Sequence, residues 1–217
     1  MEKVEKVIRF YTLTNNLKTL IRKGWQNWNV QAERIESVAE HIYGTQMLAL
    51  AMYSEYGYDI DIEKVMYMLA IHELEEVIMG DKTYFEITKE EKRRLGHMAV
   101  EEILSDVMDK DRIQALIYEF DDKKTPEAIF AYHCDKLECD LQCKLYDEAN
   151  YVDPYNQGDS PDHDPILMEK LKNKETTWSN SWMNHDRVLF TDDENFLEVL
   201  DYAIEKPITY TKKTQAK

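Results

Sequence analysis

Apolar residues recur at three- and four-residue spacing along most of the chain, the pattern of helices that each bury one face. Val4, Val7, Ile8, Tyr11, Leu17, Leu20 and Ile21 carry this period and predict a first helix ending at Gly24, with an irregular connection from Trp25 to Arg34. Ser37-Val-Ala-Glu40 then reads as a capping box, in which a hydroxyl and a carboxylate satisfy the free amides of a helix start. His41 falls just inside that helix, which continues through Met47, Leu48, Ala51 and Met52 to about Gly57. Asp61 is the expected cap of a helix through Val65, Met66, Leu69 and Ile71 that stops near Gly80, with His72-Glu73 in its middle. Thr88-Lys-Glu-Glu91 opens a charged amphipathic helix to Val107, and a shorter helix covers Arg112 to Glu119. Thr125-Pro126 puts proline at the favoured first position of a helix through Ile129, Phe130, Leu137, Leu141 and Leu145.

Asn150 to Pro165 holds three prolines, a glycine and several aspartates, which predicts a long loop. A helix from about Ile166 follows, and Thr191-Asp-Asp-Glu194 is expected to cap a last helix that Pro207 ends. The division expected is residues 1–150 as the principal domain, 151–206 as a loop and helices packing on it, and 207–217 as a mobile basic tail. No repeat and no alternating run argues for a sheet, so the fold class expected is all-α, a helical bundle with additional C-terminal helices.

Charge narrows the partners. Asp and Glu number 43 against 27 Lys and Arg, a net charge of −16, which speaks against a protein that coats duplex nucleic acid with clustered cations. A small anionic ligand remains compatible if a metal or a few cations reverse the field locally. The N-terminal sequence lacks an apolar signal core, and no run approaches the roughly 18 apolar residues of a membrane span, so the chain reads as soluble and cytoplasmic. Cys134, Cys139 and Cys143 sit in one short segment and suit reduced thiols better than a disulfide framework.

Three pieces carry candidate chemistry: Glu40-His41, His72-Glu73 and Asp135. Two adjacent ionisable groups directly after the apolar run Met66 to Ile71 are costly to bury without a partner, and a metal ion is such a partner. Mixed imidazole and carboxylate ligands suit a first-row divalent ion. Glu76 lies three and four residues beyond the doublet and is expected to share its face.

In order, Arg22-Lys-Gly-Trp25, Glu36-Ser-Val-Ala-Glu-His41, His72-Glu-Leu-Glu-Glu76, Gly80-Asp81 and Asp135-Lys-Leu-Glu138 resemble the HD-domain metal-dependent phosphohydrolases, nearest the branch of bacterial 5′-deoxynucleotidases. The resemblance covers about Leu17 to Asp147. It implies an HD-type helical bundle with one divalent metal ion, Mn, Co, Fe, Zn or Mg, held by His41, His72, Glu73 and Asp135. Glu73 stands where the family has its eponymous aspartate, and its extra methylene moves the carboxylate by roughly 1–1.5 Å. Glu76 and Asp81 match the acidic residues that position water and transfer protons, and Arg22 matches an arginine on the substrate phosphate, with Lys23 or Arg34 as helpers. The activity implied is hydrolysis of a phosphomonoester, a (deoxy)nucleoside 5′-monophosphate; the alternatives are release of pyrophosphate or triphosphate from a nucleotide, or a non-catalytic metal- or nucleotide-binding regulator. The expected partner is a small phosphorylated substrate, without duplex nucleic acid or membrane, and homodimer formation is left open.

Other features have plainer readings. His133, two residues before Asp135, points away from it on a helix and suits a structural or surface role. Cys139 and Cys143 lack a paired C-x-x-C, and the loop from Asp153 to Asp164 lacks the spacing of a calcium loop. Trp178 and Trp182 are spaced as a packing pair, whereas Trp25 divides evenly between core and site.

Overall fold

A computed structural model describes residues 2–83 and 85–210, so part of the tail expected to be mobile, 211–217, lies outside the described residues. The described residues are helical without a strand, in agreement with the all-α expectation; one isolated antiparallel bridge pairs Ile21 with Ser37. No helix among them is long and apolar enough to cross a membrane. The chain forms two compact units, Met1–Gln26 with Arg34–Asp135, and Asn27–Glu33 with Lys136–Lys217.

In the first unit, α1 (Lys3–Thr14) gives way to a 3-10 turn (Asn15–Lys18), and the short α2 (Lys23–Asn27) begins within the unit. The first helix thus stops ten residues before Gly24, which lies inside α2, because the Asn15-Asn16 pair favours turn conformations over continued helix. Next come α3 (Val38–Tyr56) and α4 (Ile62–Ile71). Ser37 and Glu40 form the expected capping box, Gly57 ends α3 in the left-handed region at φ 68°, and Asp61 caps α4 by accepting from the Lys64 amide.

α4 ends earlier than its apolar run suggests. His72 is its C-terminal cap, and residues 72–75 form tight turns before α5 (Glu76–Met79). Amide-to-carbonyl bonds three residues apart, Leu74 to Ile71, Glu76 to Glu73 and Val77 to Leu74, replace the four-residue ladder. His72-Glu73 is therefore a turn rather than the middle of a helix. Leu74 fastens this turn to a core of Val100, Ile103 and Leu104 from α6 (Lys89–Leu104) and Ile113 and Ile117 from α7 (Lys110–Asp122). α8 (Pro126–Glu148) contributes Asp135 at the unit's end.

α6 approaches α5 closely at Gly96. A Cβ there would lie 3.3 Å from the Glu75 Cγ, so glycine makes room for that side chain. Burial, reinforced by repulsion from Glu73, pushes the Glu75 carboxyl up to about 8.

The second unit is built on the apolar face of the remainder of α8 with α9 (Pro165–Lys172), α10 (Trp178–Asp186) and α11 (Glu194–Glu205). Leu137, Leu171, Trp178, Met183, Phe190, Phe196 and Leu200 are buried, and the Trp178 and Trp182 rings pack 5.3 Å apart. Asp193, not Thr191, caps α11: its carboxylate accepts from the Asn195 and Phe196 amides at 3.1 and 3.3 Å. Glu148 ties down the segment after α11, accepting from the amides of Ile208 and Thr209 at 2.8 and 2.9 Å.

Leu74→Ala should lower unfolding free energy by about 2–5 kcal/mol in denaturant titration, since a buried leucine is lost where neighbours cannot all collapse. Glu75 provides a pH test. A carboxyl whose folded value exceeds its unfolded one binds its proton more tightly when folded, so it takes stability away as pH rises from about 4.5 to about 8. In metal-free protein, Glu75→Gln should raise the melting temperature relative to wild type more at pH 8 than at pH 5; an equal difference at both would contradict the assignment.

Candidate metal centre

Three local structures aim four side chains at one point. The capping box fixes the start of α3 so that His41, on its first turn, is fully buried. The turn after α4 presents His72 and Glu73 together, and α8 supplies Asp135. His72 Nδ1 lies 2.8 Å from the Leu69 carbonyl, which selects the tautomer with the proton on Nδ1 and turns the lone pair of Nε2 inward.

His41 Nε2 is 3.1 Å from Asp135 Oδ1 and 3.8 Å from Glu73 Oε1. His72 Nε2 is 3.7 Å from Glu73 Oε1 and 3.9 Å from Asp135 Oδ1. One ligand atom from each of the four residues lies within 4.8 Å of all the others. Two bonds of roughly 2.0–2.2 Å to a shared divalent ion span the 3.1–3.9 Å separations between these nitrogens and oxygens.

The donor set passes a further test. His72 Nε2 is buried without a hydrogen-bond partner among the described residues, an orphan that protein structures rarely tolerate. Burial lowers the His72 pKa despite the pull of Glu73 and Asp135, which keeps the imidazole neutral and its lone pair free. Burial works in the opposite sense on Glu73, but the positive charges nearby, Lys92 and Arg22, override it and keep that carboxyl ionised. Two imidazoles, one from His41 and one from His72, and the carboxylates of Glu73 and Asp135 make a donor set for a divalent cation. The extra methylene of Glu73 does not carry its carboxylate out of the cluster.

Around these four lie the remaining residues singled out in the sequence. Arg22 Nη1 is 3.4 Å from Glu73 Oε1, and the Arg22 amide donates to the Glu36 carbonyl at 3.1 Å. Trp25 is buried, and its indole N–H donates to Glu36 Oε2 at 2.7 Å, so it braces this segment from the core side. Asp81 Oδ2 accepts from the backbone amide of Lys23 at 2.6 Å, joining the segment after Gly80 to the start of α2. Arg34 lies at the surface with its side chain 79% exposed, paired with Glu40 at 2.6 Å. His133 is buried in α8.

Glu76 is more enclosed than either carboxylate of the cluster. Its side chain is 1% exposed, and neither carboxylate oxygen has a hydrogen-bond partner among the described residues. Burial, with repulsion from Glu73 and Asp81, pushes its carboxyl well above the ordinary range. The cation beside it, Lys92 on α6, escaped the sequence reading: its Nζ is 3.6 Å from Glu76 Oε1. Among Lys89, Arg93 and Arg94 it is indistinguishable from a solvated helix face, and only packing singles it out.

Comparison with known proteins agrees with this geometry. A family model described as HD domain matches residues 14–177. The chain is 37% identical over 150 residues to the protein named 5′-deoxynucleotidase HDDC2 of Dictyostelium discoideum, covering 65% of this chain and 77% of that one. It is 29% identical over 148 residues to the protein named 5′-deoxynucleotidase hdd1 of Schizosaccharomyces pombe, covering 65% and 72%. A conserved hypothetical protein of Pyrococcus furiosus, 21% identical, shares the fold with a TM-score of 0.63 over 92% of this chain and 99% of the other. With the family match spanning both the cluster and the helices that carry it, the chain belongs to the HD-domain family, among its 5′-deoxynucleotidase-like members.

Proposed function

We propose that this protein is a metal-dependent hydrolase that cleaves the phosphomonoester of a (deoxy)nucleoside 5′-monophosphate. The observation that carries the reading is the buried His41, His72, Glu73 and Asp135 cluster with its orphaned His72 nitrogen, set beside an enclosed acid and a guanidinium. The names of the two deoxynucleotidase relatives support the choice of substrate. His41, His72, Glu73 and Asp135 would hold the ion. A divalent ion in such a site polarises a phosphoryl oxygen and makes water a stronger acid.

The chain's own residues do the rest. Arg22 approaches the cluster from the side of Glu73 and offers planar donors to the substrate phosphate. This counters the repulsion that an anion meets near a chain of charge −16. Glu76, held protonated by its surroundings, is suited to give its proton to the departing 5′ oxygen as the phosphorus–oxygen bond breaks. Asp81, held by the Lys23 amide, is the acid assigned to orienting water.

Purified protein assayed with Mn²⁺, Co²⁺ or Mg²⁺ should release inorganic phosphate from deoxynucleoside 5′-monophosphates. Glu76→Gln should lower kcat about 100-fold or more with the metal still bound, the loss expected for a proton-transfer group. Absence of phosphate from every nucleotide, in protein shown to carry metal, would defeat the proposal; pyrophosphate or triphosphate as product would replace the bond proposed.

A further inference from the structure

Lys92 and Gly96 are four residues apart on α6 and share one face. At Gly96 the missing Cβ lets α6 close on the Glu75 side chain, and one turn earlier the same approach brings Lys92 Nζ to 3.6 Å from Glu76 Oε1. The ammonium also donates to the Lys82 carbonyl at 3.4 Å, in the segment directly after Asp81. Thr88, which caps α6 by accepting from the Glu91 amide at 3.2 Å, fixes the helical register at which Lys92 emerges. The two side-chain oxygens of Glu76 have no hydrogen-bond partner among the described residues, so the lysine is the group left to orient them.

We infer that Lys92 is a positioning residue, whose ammonium, bonded to the Lys82 carbonyl, lies against the Glu76 carboxyl group and so holds in place the two acids, Glu76 and Asp81, that serve the reaction. This rests on the hydrolase reading given above. Lys92 acts through Glu76 and not on the substrate: removing it leaves the Glu76 carboxyl group without the contact that orients it, while the metal and phosphate contacts stay intact. Its side chain is 35% exposed, and α6 contributes Val100, Ile103 and Leu104 to the core independently of it, so substitution is compatible with folding.

Steady-state kinetics of metal-loaded Lys92→Met, Lys92→Arg, Glu76→Gln and the Lys92→Met/Glu76→Gln double variant test this. Lys92→Met should lower kcat about 10- to 100-fold, the effect of a misplaced catalytic group, with KM changed less than about threefold. Lys92→Arg, which keeps the charge, should recover most of the loss. In the Glu76→Gln background, Lys92→Met should change kcat less than about twofold, since groups acting as a unit are not additive. A rise in KM with kcat preserved, full additivity with Glu76→Gln, or a loss explained by lower metal content or melting temperature would each overturn the inference. Wild type that releases no phosphate with any metal defeats the hydrolase reading itself, whereas active wild type with an equally active Lys92→Met variant defeats only the role of Lys92.

Discussion

Charge burial governs this structure. Two carboxylates, Glu73 and Asp135, share one enclosed point with two imidazoles, and a third carboxyl, Glu76, lies deeper still. Each buried charge costs several kcal/mol unless it is met by an opposite charge or a proton. The fold meets the cost in three ways. Arg22 and Lys92 bring positive charge to Glu73, burial keeps Glu76 protonated, and the geometry of the four-residue cluster accommodates a divalent cation. A cluster of this kind without a cation would be held together against its own repulsion.

The helices exist in these positions largely to satisfy that condition. α4 breaks off after Ile71 so that His72 and Glu73 can turn inward together, and Leu74 anchors the break in the core beneath α6 and α7. The tight turns leave Glu76 at the start of α5, facing α6, where the gap above Gly96 admits both the Glu75 side chain and the approach of Lys92. On the opposite flank, Glu36 bonds the Arg22 amide and the Trp25 indole, and Asp81 bonds the Lys23 amide, so the segment carrying Arg22 is fixed by two acids. Packing, backbone and electrostatics thus converge on one site, with the core supplying rigidity rather than chemistry.

Local signals were legible in the sequence where local physics decides them. The capping box of Ser37 and Glu40, the Asp61 cap, Gly57 and the proline opening α8 were each readable because the groups that satisfy a helix end lie within a few residues of it. The end of α4 was not, because its apolar period runs on smoothly and only the need to bury His72 and Glu73 against distant partners interrupts it. Nor was the extent of the first helix, where an Asn-Asn pair outweighed a continuing apolar stripe. Convergence of His41, the doublet and Asp135, up to 94 residues apart, came from resemblance to a family and not from spacing. Lys92 had no sequence signal at all, and Arg34, read as a helper near phosphate, lies on the surface against Glu40.

The direct measurement is metal content. Wild-type protein dialysed against Mn²⁺ or Co²⁺ and then against metal-free buffer should retain about one ion per chain by elemental analysis, and folded His72→Ala and Asp135→Ala variants should retain almost none, because a structured site binds through all its ligands. Equal retention by the variants, or none by the wild type, would contradict the claim that this buried cluster is organised around a metal ion.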